Sequence, residues 1–197
     1  MFNIFVKLFL KIKFGKRLSL GSNITFTGIP KLIIDEGSVV NFGDYVQVSD
    51  LVELRATKFA NLKIGSSVKL DRLVRIIATN GADVVIGDNT RIGIGSVFNG
   101  GAKITLGANT LISGYVYLQT SMHNHEGGGD IISAGYIYGD IVVGDGSWLG
   151  VHSVLFPNVV LGKRCIVGSN AVVNRSFCDR SIIGGIPAKE LRNGQRK

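Results

Sequence analysis

Two histidines, His123 and His125, stand two residues apart in the stretch LQTSMHNHEGGGDIISAGYIYGD, residues 118–140. On an extended chain, side chains two apart share a side. A neutral imidazole takes up a proton near pH 7, so either ring could serve as the base that activates a hydroxyl. The stretch also carries three consecutive glycines, at 127–129. The competing reading is a pair of solvated loop histidines. His152, the third histidine of the chain, falls in a turn, where a solvated or cleft-lining position fits better than catalysis.

What singles out the pair is the regularity that it interrupts. From Ile141 the chain reads IVVGDGSWLGVHSVLFPNVVLGKRCIVGSNAVV, with Val143, Leu149, Leu155, Leu161, Val167 and Val173 spaced six apart. Glycine follows at Gly144, Gly150, Gly162 and Gly168, and a small or β-branched residue sits four on, at Ser147, Ser153, Val159, Cys165 and Ala171. Neither the helical period of 3.6 nor strand alternation produces a strict six. One short strand plus one tight turn does. Three such units return the chain to its start, about 4.8 Å higher. The expectation is a triangular β-solenoid, its aliphatics stacked inward and its glycines relieving the backbone at the turns.

The same register begins near Leu20 and runs, with drift, to Ile112, giving about seven coils. Phe42 to Ile64 is 22 residues and Ile86 to Leu106 is 20, so corners near Thr57–Asn61 and Thr79–Asp83 must bulge. The expected layout is an amphipathic helix at 1–17, the solenoid at 18–175 with an extended loop at about 119–140, and a tail at 176–197 with a short helix opening at Pro187.

Residues 1–17 read MFNIFVKLFLKIKFGKR. Asn3, Lys7 and Lys11 form a narrow polar stripe and apolar side chains cover the rest. The lysines leave the apolar run too short to span a bilayer, and no small-residue cleavage site follows. Two readings stand together: a helix on the cytoplasmic membrane surface, and a cap on the open end of the solenoid.

The chain has 197 residues, 27 glycines, 3 prolines and a formal charge of +8. Such charge favours an anionic partner, but no aromatic-interleaved basic stretch points to nucleic acid. Cys165 and Cys178 make no metal or redox spacing, and Cys165 occupies the small-residue slot of the repeat. There is no G-x-x-x-x-G-K-[ST], G-x-G-x-x-G or G-x-S-x-G.

The hexads, the histidine stretch and the G-x-P-A-K ending at Gly185–Lys189 together resemble the hexapeptide-repeat acyltransferases, most of all their sugar and polysaccharide O-acetyltransferases. The resemblance covers about residues 20–192. It implies a left-handed parallel β-helix and a homotrimer with clefts between subunits, although the general crossover rule alone would favour the right hand. It also implies acetyl-CoA as acyl donor and a sugar or lipid-linked saccharide as acceptor. Related polysaccharide enzymes often carry Asp-His-x-His where this chain has Met122-His123-Asn124-His125. His123 matches the catalytic base and His125 stands second. Met122 replaces the aspartate that would orient the imidazole. The resemblance further places Trp148 near the intersubunit cleft, coenzyme contacts near Val151 and Ser169, and Arg175 and Arg192 where basic residues meet the nucleotide phosphates. Solvated surface charge is the plain alternative for both arginines.

The expected activity is O-acetylation of a surface polysaccharide in the cytoplasm, with possible peripheral contact at the inner membrane face through residues 1–17. A nucleotide-sugar N-acetyltransferase is the main alternative. A zinc hydratase, needing three converging histidines, and a non-enzymatic solenoid rank lower. No metal is expected.

Overall fold

The computed structural model describes residues 1–125 and 130–193; residues 126–129, in the middle of the expected loop, and the last four residues lie outside them. Helix α1 (Phe2–Phe14) and one 3-10 turn (Gly15–Arg17) lead into a prism of short parallel strands. Three faces repeat in the order A, B, C. Face A starts at Leu18–Leu20 and ends at Val160–Leu161. Face B starts at Thr25–Phe26, and face C runs from Lys31–Ile34 to Val172–Val173. Faces A and C each hold seven strands, so there are seven coils, wound as the left-handed parallel β-helix.

The hexad side chains meet inside as the spacing requires. Val143, Leu149, Leu155, Leu161, Val167 and Val173 are all buried, and so are Ser147, Ser153, Val159, Cys165 and Ala171 in the small slot. Each full-sized aliphatic taken out of water contributes about 1.5–3 kcal/mol. Burial pushes the Cys165 thiol above its ordinary range, and its Sγ donates to the Cys178 carbonyl at 3.1 Å. That thiol is a packing group.

The glycines act differently from expectation. The left-handed backbone does not fall on Gly144, Gly150, Gly162 or Gly168. It falls two residues later, on Gly146, His152, Arg164 and Asn170, with φ between 58° and 69°. The repeat glycines serve the stacking of coils: a Cβ on Gly150 would lie 2.6 Å from the Ser169 backbone nitrogen. Asparagine takes the turn at 23, 80, 89, 109, 158 and 170, as its tolerance of that region allows.

The solenoid also runs past the expected release at 176. Phe177 bridges Leu161 on face A, and Ser181–Gly184 adds a parallel strand beside Ile166–Val167 on face B. No short helix opens at Pro187 among the described residues. Lys189–Asn193 instead turns back as an antiparallel strand on Ser181–Gly184. The exposed strand edge needs backbone partners, and that demand outweighs the helical preference of Lys-Glu-Leu-Arg. Ser181 Oγ and Glu190 Oε1, 2.7 Å apart, fasten the return.

The other end is closed by α1, whose Val6, Leu10 and Phe14 are buried. The Asn3 side chain substitutes for a missing strand: its Nδ2 donates to the Ile24 carbonyl at 3.0 Å and its Oδ1 accepts from the Phe26 amide at 3.1 Å. Arg17 likewise donates to the Ile34 carbonyl at 2.7 Å.

On the outer side of face C, Glu53 bonds Arg55 and also meets Lys31 at 3.3 Å and Arg75 at 3.4 Å, tying three successive coils. Burial pushes its carboxyl up, but the bonds to Arg55 and Lys31 and the nearby charge of Arg75 win, and the pKa lies below its ordinary 4.5. A depressed carboxylate stabilises the fold above its unfolded pKa, and the contribution fades as pH falls through the folded value. The stability advantage of the parent over Glu53→Gln should therefore hold above pH 4.5 and shrink in acid. Urea midpoints measured across that range check it; a gap that widens in acid would contradict the assignment.

Candidate active site

The histidine stretch leaves the corner between faces C and A, after Tyr117–Gln119 and before Ile141–Val143. It is more ordered than a loop. Ser121–His123 and Tyr136–Tyr138 pair as an antiparallel hairpin, with His123 opposite Tyr136 and Ser121 opposite Tyr138. The alternation Tyr-Ile-Tyr at 136–138 is the one sequence signal of its second strand.

The root of the hairpin is pinned to the prism. Thr120 accepts the Gly139 amide on its carbonyl at 2.9 Å, and its Oγ1 donates to the Asn99 carbonyl at 2.6 Å. The Ala102 amide donates to Thr120 Oγ1 at 3.1 Å, and the Lys103 amide donates to Asp140 Oδ1 at the same distance. Tyr138 lies against Gly101, where an added Cβ would come within 2.7 Å of its ring, and its hydroxyl accepts from Asn80 Nδ2 at 3.3 Å. The corner thus holds the hairpin at fixed height and direction.

His123 is exposed and its ring packs against Tyr136, centroids 4.5 Å apart and planes tilted by 38°. Tyr138 follows at 6.1 Å from Tyr136. The Tyr136 ring therefore limits how the imidazole turns. His125 is exposed just beyond the strand, and the Asn124 amide between them donates to the Gly135 carbonyl at 3.0 Å.

Val151 and Ser169 lie elsewhere, at the corner between faces B and C, and Trp148 is on the adjoining face B strand. Val151 and Ser169 occupy that corner on adjacent coils, tied by the Asn170 amide donating to the Val151 carbonyl at 2.9 Å. Trp148, three residues before Val151, is half-exposed, and its Nε1 donates to Ser113 Oγ at 3.0 Å. It adjoins a shallow groove of about 370 Å³ on face B that includes Lys69, Arg91 and Ser113. His152 shares the corner, edge-on to Tyr115 with centroids 5.2 Å apart. Arg175 lies past the last face C strand with its guanidinium 5.1 Å from the Phe177 ring. Arg192 sits on the returning strand opposite Ile182, three strands beyond Trp148 on face B.

Within one chain these groups form two sets, the imidazole hairpin at one edge of face C and Val151 with Ser169 at the other. A face C strand and its turns separate them, roughly 17 Å at about 3.3 Å per residue. His152 is likewise apart from His123 and His125, so the three histidines do not converge. Among the described residues no cluster of three or more His, Cys, Asp or Glu side chains is placed to hold a metal ion.

Residues 140–175, the two coils after the hairpin, match the family described as bacterial transferase hexapeptide (six repeats). That match takes in two of the seven coils. This hexapeptide-repeat chain is 30% identical over 97 residues to the putative lipopolysaccharide biosynthesis O-acetyl transferase WbbJ of Escherichia coli K12, covering 45% of the chain and 50% of WbbJ. It spans half or less of the length of such curated relatives, 43% for the Escherichia coli galactoside O-acetyltransferase. The crystal structure of the polySia-specific acetyltransferase NeuO superposes with a TM-score of 0.68 at 23% identity, over 89% of this chain and 79% of NeuO. A hexapeptide-repeat acetyltransferase of Vibrio cholerae O1 biovar eltor, solved with acetyl coenzyme A, superposes with a TM-score of 0.53 at 26% identity, over 80% and 70%.

Proposed function

We propose that the hexapeptide-repeat chain is an acetyl-CoA-dependent O-acetyltransferase that modifies a sugar hydroxyl of a surface polysaccharide or its lipid-linked precursor. The observation that carries this reading is the rigidly rooted hairpin that presents His123 from the one long break in the prism. The similarity to WbbJ, a putative lipopolysaccharide O-acetyl transferase, and to the polySia-specific NeuO supports the acceptor class, and the bound coenzyme of the Vibrio protein supports the donor.

The chemistry is direct transfer. His123 takes the proton as the acceptor oxygen attacks the thioester carbonyl, and backbone amides hold the developing oxyanion. The C–S bond then breaks, the sulfur leaves with the proton from the imidazolium, and an O-acetyl ester remains. Val151 and Ser169 would line the coenzyme arm, with Trp148 beside it and Arg175 and Arg192 toward the phosphates. A homotrimer makes this arrangement possible, because the hairpin of one copy can reach the B–C corner of the next. The exposed Met122, Ile131, Ile132 and Ile137 on the hairpin would be covered by that neighbour. The alternative, acetylation of a nucleotide-sugar amine, needs the base less.

Two measurements test the reading. Coenzyme A should raise the melting temperature, since a ligand that binds only the folded state adds about 2.7 kcal/mol at a hundred times its Kd. Thiol release from acetyl-CoA should depend on an added sugar. A chain that neither shifts with coenzyme A nor releases thiol with any sugar would be a non-enzymatic solenoid.

A further inference from the structure

Helix α1 has two apolar faces, and the prism uses one. Val6, Leu10 and Phe14 point into the core, and Asn3 on the same side bonds the face B edge. The opposite side presents Ile4, Phe5, Leu8, Phe9 and Ile12 to solvent, with Ile4 and Ile12 exposed by 72% and 76%. A contiguous apolar patch of this kind marks a contact surface. Cations border it on both flanks, Lys7 and Lys11 along one and Lys13 along the other, and Lys16 and Arg17 follow the helix. No carboxylate occurs before Asp35.

We infer that α1 docks this outer face on an anionic lipid surface. The helix has 13 residues, about 20 Å at 1.5 Å per residue, so it lies in the interface and does not cross it. Among the described residues no helix is long and apolar enough to span a membrane. The outer side chains would enter the acyl boundary while the flanking lysines stay among the headgroups. Each cation near an anionic surface adds to the attraction, and added salt screens it. A second copy fits this face poorly, because pairing it with itself would press two clusters of like charge together. The contacts of Asn3, Val6 and Leu10 hold the helix before any membrane is met, so docking requires no coupled folding.

Such docking is independent of acyl transfer, and the assay reads vesicle binding alone. The chain should co-sediment with phosphatidylglycerol-containing vesicles, lose most of that binding in high salt, and stay in solution with pure phosphatidylcholine. The double variant Leu8→Asp/Ile12→Asp should bind at least tenfold more weakly with an unchanged melting temperature, because both positions are exposed. Lys7→Glu/Lys11→Glu should weaken binding to the anionic vesicles as well. The inference is overturned if the parent fails to bind anionic vesicles, or if both variants bind as well as the parent. It is equally overturned if light scattering shows copies associating through α1 and Leu8→Asp/Ile12→Asp separates them without affecting vesicle binding.

Discussion

Replacing His123 with alanine is expected to lower the rate of acetyl transfer to a sugar hydroxyl by about 10²- to 10⁴-fold, the range that a positioned general base contributes. The loss should fall on kcat, with the acetyl-CoA KM little changed, because coenzyme contacts are assigned to the opposite edge of face C. The melting temperature should stay put, since the ring is exposed and packs only at the hairpin surface against Tyr136. His125→Ala should cost far less. Steady-state thiol release with the best acceptor separates the possibilities. Retention of most activity by His123→Ala would move the assignment toward an amine acceptor, and equal losses in both variants would remove the preference for His123.

Gly144→Ala is expected to damage the fold far more than one added methyl group would suggest. The added methyl would sit 2.6 Å from the Gly162 carbonyl carbon and the Lys163 nitrogen, both backbone atoms of the next coil. Neither can swing aside without breaking the ladder, so the cost should reach about 3 kcal/mol, the upper part of the usual overpacking range. That is a large share of a total stability of about 5–15 kcal/mol. Gly81→Ala is the useful comparison. Its φ is +72° and nothing lies within 4 Å of the added methyl. There the cost is backbone strain in the left-handed region, about 1–2 kcal/mol. Urea unfolding of both variants gives the order. A larger loss at Gly81 would mean that turn conformation, not coil stacking, selects glycine in this repeat.

The prism itself was legible because its signal is one of burial. A strict six with aliphatics in one slot and small side chains in another leaves few ways to keep both dry, and Val143 to Val173 lie where that logic puts them. What the spacing misassigned was the job of the glycines. Periodicity shows that a position must be small, without showing whether a turn or a neighbouring coil demands it. The C-terminal strand was illegible for another reason. Pro187 and Lys-Glu-Leu-Arg favour a helix locally, whereas the free edge at Ser181–Gly184 exists only once the chain has folded. The candidate site was legible as a location, because a long interruption of a regular pattern stands out. Its shape was not, since Thr120, Gly101 and Asn80, which seat the hairpin, belong to different coils.

The cap and the hairpin lie at different levels of the same stack. The hairpin leaves after the fifth strand of face C, four spacings above the first, roughly 19 Å at about 4.8 Å each. A stiff column of identical steps works as a ruler: with α1 resting on lipid, its length would set the stand-off between the bilayer and His123. Adding or removing one whole turn would change that reach by about 5 Å while leaving both ends chemically unaltered.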